Sequence, residues 1–151
     1  LQYDQKFSRP YTFIAKLHNF EATKPAWHMQ DTPDLIVGVE IAGTAKAYDW
    51  KQLQSAGVVI DTVGEASIVL TTDPARTSAS VYSRAVDGRI LAFTATEQGM
   101  TDTETGSTWN WFGICLDGPM KGKTLTLVQS YQQYVRAWIQ FHPETTFYEF
   151  G

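Results

Sequence analysis

Residues 101–111 hold the side chains that are best suited to binding or chemistry. They include two carboxylates, a hydroxyl and two indoles: Asp102, Glu104, Ser107, Trp109 and Trp111. If the end of this segment is extended, both indoles point to one face, because side chains alternate along a strand. Aromatic faces beside carboxylates are typical of a site for a sugar-like or amphipathic ligand, which stacks on the rings and hydrogen-bonds at its edge.

The same segment allows other interpretations. Asp102 and Glu104 could supply oxygen ligands to a calcium ion. Alternatively the segment is a structural turn, in which Asp and Ser side chains bond their own backbone, Gly106 takes a positive φ and the tryptophans belong to the core; this interpretation is favoured. Glycoside hydrolysis needs two carboxylates across a cleft, one with its pKa raised by apolar surroundings. A Thr-rich loop supplies no such surroundings, so we predict no catalytic residue.

The other candidate ligands and nucleophiles are scattered. His28 and Met29 are neighbours, and such a pair is one route to copper binding. Without further ligands the pair favours loop packing, so we expect no metal and no cofactor. Cys115 has no basic neighbour to lower its thiol pKa, and its flanks indicate a buried strand over residues 109–116. A single cysteine also excludes an intrachain disulfide.

Length and charge narrow the class of protein. A chain of 151 residues with 43% hydrophobic and 13% aromatic side chains predicts a single globular domain with its own core. Twelve Lys and Arg against sixteen Asp and Glu leave a formal charge of -4, which argues against a nucleic-acid partner. No apolar run reaches the roughly 18 residues that a transmembrane helix needs. Because the sequence starts at Leu1 rather than Met, we expect a removed leader or a longer parent protein.

Hydrophobic alternation predicts a mostly β, α+β fold, with antiparallel, barrel-like sheets built of hairpins. Three hairpins are expected to form the core: residues 35–48, 58–70 and 80–96. Asp87-Gly88 in the third hairpin is the strongest turn signal, because this dipeptide accepts the positive φ angles of a type I′ turn.

One amphipathic helix is predicted over residues 131–142, packed on the sheets. Apolar side chains recur there every three or four residues, and Ser130 with Gln133 forms a capping box. Residues 1–33 are expected to be an irregular part of the same domain, whose β-rich part spans residues 34–150.

Three strings in one order resemble a known family. They are residues 35–48, residues 101–110 with the pattern D-x-E-T-G-S-x-W, and residues 116–125 with the pattern G-P-x-x-G-K-x-L. Together with Trp138 and H-P-E-T at 142–145, they resemble the prokaryotic domain of unknown function family 3179 over about residues 34–150. The resemblance implies an extracytoplasmic protein (periplasmic, cell-surface or secreted), often part of a longer chain, and it brings no established activity.

The chain departs from the family pattern at two places. Many members carry a paired-cysteine motif and a Trp-His pair, where this chain has residues 71–77 and 53–57. Any metal or redox chemistry of those groups would therefore be lost here.

Three functional hypotheses follow. The first is a non-catalytic extracytoplasmic module that docks onto a protein partner, onto the rest of a longer chain or onto copies of itself. The second is a ligand-binding or hydrolytic domain that uses residues 101–111, and full burial of Trp109 and Trp111 would argue against it. The third is a metal or redox accessory domain, which requires His28, Met29 and Cys115 to converge.

Overall fold

The computed structural model describes residues 35–151. Within this range the chain forms fourteen strands and two short helices. The helices are α1 (Trp50–Ala56) and α2 (Val135–Phe141). The strands are β1 (Leu35–Ile41), β2 (Thr44–Asp49), β3 (Val58–Val63), β4 (Ala66–Thr72), β5 (Ala79–Ser83), β6 (Ala85–Val86), β7 (Arg89–Ile90), β8 (Phe93–Thr96), β9 (Gly99–Asp102), β10 (Thr108–Trp109), β11 (Cys115–Asp117), β12 (Leu127–Val128), β13 (Tyr131–Tyr134) and β14 (Thr146–Phe147).

The strands form three four-stranded sheets and one two-stranded ribbon. Their orders are β13-β1-β2-β14, β12-β5-β4-β3, β11-β10-β9-β8 and β6-β7. All pairs are antiparallel except β14 with β2. The predicted mostly β fold of antiparallel hairpins is confirmed, but barrel-like closure is wrong, because these sheets keep open edges in the described part of the chain. Neither helix of residues 35–151 has the length and apolar character needed to cross a membrane.

The first two predicted hairpins are confirmed. β1 pairs with β2 around Ala42-Gly43, whose φ angles of 50° and 84° are the positive values that a two-residue turn of this kind requires. β3 pairs with β4 around Gly64-Glu65. Between these hairpins lies α1, which the sequence analysis missed. Its N-terminus is capped by the Asp49 carboxylate, which accepts the backbone N–H of Lys51 at 3.3 Å.

The third hairpin is shorter than predicted. Asp87 and Gly88 take the expected positive φ angles, but only two residue pairs flank them in the β6-β7 ribbon. Leu91 then enters the core, and β8 pairs with β9 instead of returning along β5. Burial of Leu91 therefore outweighs extension of the local ladder.

The predicted helix over residues 131–142 is wrong in its first half. Residues 131–134 form β13 and pair with β1, which would otherwise present an unsatisfied edge. Ser130 and Gln133 consequently form no capping box, and the helix begins after Tyr134 without a side-chain cap. Its second half is confirmed as an amphipathic helix packed on the sheet. The buried side chains of α2 are Val135, Trp138 and Ile139, which cluster with Ile36 and Ala47.

Thr72 is a buried polar residue without compensation. Its side chain is almost wholly buried, and within the described residues its hydroxyl has no hydrogen-bond partner. Thr72→Val removes this hydroxyl at nearly constant volume, so we expect it to raise the free energy of unfolding by about 1 kcal/mol.

Urea unfolding at pH 7 measures the effect. Thr71→Val is the matched control, because the neighbouring Thr71 hydroxyl donates to the Trp111 carbonyl at 3.4 Å and its loss should not stabilise. A destabilised Thr72→Val variant would show that the hydroxyl has a partner after all.

Candidate functional site

The D-x-E-T-G-S-x-W string forms a tight turn between β9 and β10. Asp102 ends β9, and its side chain is 0% exposed. Its carboxylate accepts the backbone N–H of Thr105 at 2.6 Å, the Thr105 hydroxyl at 2.8 Å and the indole N–H of Trp109 at 2.8 Å. Burial by itself raises the pKa of Asp102, but the bonds from Trp109 and Thr105 outweigh it and hold that pKa below its ordinary value. Asp102 is therefore an ionised acceptor that organises the turn.

Ser107 joins this turn to the G-P-x-x-G-K-x-L string. Its hydroxyl oxygen accepts the backbone N–H of Met120 at 3.1 Å and lies 2.6 Å from the Thr105 hydroxyl. Gly118 packs so closely that a Cβ there would stand 2.7 Å from the Cα of Ser107. Two of the three strings that carry the family resemblance are thus parts of one structural unit.

The two tryptophans do not form an open platform. Trp109 is completely buried and packs edge-on against Phe93, with ring centroids 5.8 Å apart. Trp111 is also buried, and its carbonyl accepts the hydroxyls of Thr71 and Tyr82. The predicted continuous strand over residues 109–116 is wrong, because a turn at 110–113 separates β10 from β11. The two indole rings therefore present no accessible face on which a ligand could stack.

Glu104 lies apart from the buried network. Its side chain is exposed, and its carboxylate accepts the backbone N–H of Ala92 at 2.9 Å, which lowers the pKa of Glu104. Within residues 35–151 no three His, Cys, Asp or Glu side chains lie close enough to hold a metal ion. The oxygens of Asp102 and Glu104 instead bond the backbone of their own and a neighbouring segment.

Cys115 is buried, as predicted, and its thiol donates to the carbonyl of Asp117 at 3.4 Å. The other two residues of the metal or redox hypothesis, His28 and Met29, lie outside the described residues. Of the three residues that the metal or redox hypothesis requires, the structure describes Cys115, and the thiol of Cys115 is buried.

An exposed apolar surface follows the turn that Asp102 organises, and it was not predicted from the sequence. Asn110 holds the next turn, because its side-chain oxygen accepts the backbone N–H groups of Phe112 at 2.9 Å and Ile114 at 3.0 Å. Three large apolar side chains are exposed in this turn and in the segment that follows it, and we call them the Phe112 surface: Phe112, Ile114 and Leu116. The Asn-x-x-Gly pattern at 110–113 is a turn signal that the surrounding apolar residues obscured.

Comparison with known families agrees with these motifs. A family model described as Protein of unknown function (DUF3179) matches residues 1–145. The match includes residues 1–33, which the motif resemblance left outside. Neither the comparison with curated proteins nor that with solved structures found a match. Since the family model spans nearly the whole sequence, the chain belongs to the DUF3179 family of proteins of unknown function.

Proposed function

We propose that this domain is a non-catalytic docking module that binds a partner protein through the Phe112 surface. The observation that carries the proposal is the Phe112 side chain, which is 62% exposed at the tip of a turn fixed by Asn110. A large aromatic side chain has only two side-chain torsions to order, so on a fixed backbone it loses little conformational entropy on binding and is suited to anchor an interface.

The rest of the turn is equally constrained. The backbone N–H of Asn110 donates to the Ile114 carbonyl at 2.9 Å, and the N–H of Leu125 donates to the Gly113 carbonyl at 2.8 Å. Ile114 and Leu116 flank the buried Cys115, so they share the outer face of this extended segment. The three apolar side chains of the Phe112 surface are therefore carried on a fixed backbone, which favours docking without rearrangement.

Charged side chains beside the Phe112 surface indicate the chemistry of the partner. The adjacent turn carries Lys121 and Lys123, both exposed, and its backbone bonds to that of Cys115. Lys123 pairs with Asp87 at 3.0 Å, whereas Lys121 makes no ion pair within residues 35–151. Because the exposed Asp117 directly follows Leu116, this edge carries charges of both signs, which favours a partner that offers an apolar pocket with a polar rim.

The extracytoplasmic location belongs to the same proposal. We propose it from the resemblance of the sequence motifs, which implies proteins outside the cytoplasm. A partner of this domain would accordingly be a periplasmic, cell-surface or secreted protein, or another part of a longer parent chain.

The native assembly tests the proposal. We expect the protein, isolated from extracytoplasmic fractions of cells that produce it naturally, to have a mass by light scattering well above its chain mass by mass spectrometry. Phe112→Ser should reduce the assembly to the chain mass, because a polar side chain cannot replace a buried aromatic anchor. Mass spectrometry of every component then distinguishes a second protein from further copies of this chain.

Leu127→Ser is the matched control, because Leu127 is 67% exposed on β12 and lies outside the Phe112 surface. Its assembly should equal that of the wild type. A wild-type protein whose mass by light scattering equals its chain mass, or a Phe112→Ser variant that keeps its partner, would overturn the docking function.

A further inference from the structure

The strand β13 forms an outer edge of the sheet β13-β1-β2-β14. It pairs with β1 on one side, and within residues 35–151 no strand pairs with its other side. In an antiparallel ladder every second residue points its backbone N–H and C=O away from the neighbouring strand, so β13 presents polar backbone groups at this edge. Charges, prolines and bulges commonly protect such edges, but β13 reads Tyr-Gln-Gln-Tyr and its register with β1 is regular. The strand β13 is therefore suited to accept a further strand.

Two tyrosines make this edge aromatic on both faces. Tyr131 is 41% exposed and Tyr134 is 67% exposed. Because they are three positions apart in a strand, their side chains lie on opposite faces. The Tyr131 ring lies 6.2 Å from the buried Trp138 ring, measured between centroids, so it extends the aromatic core outwards. We call residues 131–134 with these two rings the Tyr134 edge, and an added strand would find an aromatic ring on each of its faces.

The part of the chain that precedes β1 is attached next to this edge. Leu35, the first residue of β1, pairs with Tyr134. Twenty residues separate Ile14 from Leu35, and an extended chain spans about 3.3 Å per residue, whereas neighbouring strands lie only about 5 Å apart. Residues near position 14 can therefore reach every residue of β13. A tethered segment also has an effective concentration of about 1 mM or more, so modest contacts are enough to hold it.

The composition of this preceding segment fits the Tyr134 edge. Tyr-Thr-Phe-Ile at residues 11–14 is the longest run of aromatic and β-branched residues in the segment 1–34, and it has the same length as β13. Residues 1–30 carry four Lys and Arg against two Asp and Glu, whereas residues 35–151 carry eight against twelve. These opposite net charges favour association of the two parts. The match to the DUF3179 family model also includes this segment, so the segment belongs to the family domain.

We propose that residues 11–14 of the same chain dock on the Tyr134 edge as an added strand. Backbone hydrogen bonds to the outward groups of β13 hold such a strand, and its alternating side chains pack on the two tyrosine rings. Tyr11 and Phe13 would pack on one face, and Thr12 and Ile14 on the other. The docked segment closes an edge that is otherwise open to strands of other chains. The site shares no residue with the Phe112 surface and does not depend on the docking function.

Photo-cross-linking in the full chain identifies what occupies the edge. Tyr134→p-benzoylphenylalanine should, on irradiation, link to residues 1–30 of its own chain, and digestion with mass spectrometry locates the link. Leu127→p-benzoylphenylalanine is the matched control, because Leu127 is also 67% exposed and also lies on an edge strand, β12. A link to residues 1–30 that is no more abundant from position 134 than from position 127 would overturn the proposal. In a mixture of ¹⁴N- and ¹⁵N-labelled chains, a link between two chains would assign the edge to a second copy and overturn it as well.

Amide hydrogen exchange measures the protection of the same edge. Phe13→Ser should speed exchange of the outward-pointing amides of residues 131–134 about tenfold, because the docked strand accounts for their protection. The amides of β4 lie in another sheet and serve as the internal reference, whose exchange should not change. Phe7→Ser is the matched control, because it removes a phenylalanine of the same segment outside residues 11–14. Equal exchange of residues 131–134 in the two variants would contradict docking through residues 11–14.

Discussion

Asp102→Ala is expected to lower the free energy of unfolding by about 4 kcal/mol, the largest effect of any substitution considered for this domain. The variant leaves the buried indole N–H of Trp109 and the half-buried backbone N–H of Thr105 without their acceptor. Each buried donor that loses its partner costs about 1–3 kcal/mol. Urea unfolding at pH 7 measures the loss. Glu104→Ala is the control, and we expect it to destabilise the domain far less than Asp102→Ala, since the Glu104 carboxylate is exposed.

The pH dependence of the same site has a defined sign. Because the pKa of folded Asp102 is lowered, its carboxylate stabilises the fold fully above the unfolded pKa of about 3.9. This contribution is lost as the pH falls through the folded pKa. Asp102→Asn has no carboxylate to titrate, so its deficit relative to the wild type should shrink between pH 5 and pH 2. A deficit that stays constant over this range would show that ionisation of Asp102 does not stabilise the fold.

Gly38→Ala is expected to destabilise the domain by about 3 kcal/mol through overpacking. Gly38 lies in β1 directly beneath the Trp138 ring, and a Cβ there would stand 2.6 Å from Cε3 of that ring. Such a distance is too short for a packed Cβ, so the indole must move. Because its N–H bond to Thr145 and its stacking on His142 hold the indole, movement breaks these contacts as well. Chemical denaturation measures the loss.

A double-mutant cycle identifies the cause. Trp138→Leu removes the ring that the new Cβ would meet, so Gly38→Ala should cost much less in the Trp138→Leu background than in the wild type. If the two substitutions add to within about 0.5 kcal/mol, contact with Trp138 is not the source of the destabilisation.

Local sequence signals predicted the parts of the fold in which short-range and long-range preferences agree. The alternation of residues 35–41 and the Ala42-Gly43 turn both predict the same hairpin, and the structure contains it. Residues 131–134 carry a helical pattern and follow a capping-box sequence, yet they form a strand. They form a strand because they pair with β1, which is remote in sequence. No local signal at 131–134 indicates this pairing.

The candidate site was predictable as a group of neighbours and not as an arrangement. Sequence spacing brings Asp102, Ser107 and Trp109 together, but it cannot show that the carboxylate bonds the indole rather than a ligand. The contact of Ser107 with Gly118 and Met120 is tertiary, so the union of two motifs became visible only in the fold. The exposure of Phe112 was missed because the apolar residues 111–116 predict a buried strand. The turn at 110–113, which exposes Phe112, is evident only in the structure.

The sheet β13-β1-β2-β14 combines strands from the two ends of the described chain, and this affects the order of folding. β1 and β2 come first among the described strands, while their outer neighbours β13 and β14 come last. The pairing of Gly38 with Tyr131 closes a loop of about ninety residues, and such closure slows folding because its entropy is lost before the contacts form. During synthesis the β1–β2 hairpin is therefore made before β13 and β14 are available to pair with its two edges. A ribosome has to deliver the chain through Phe147 before this sheet has all four strands.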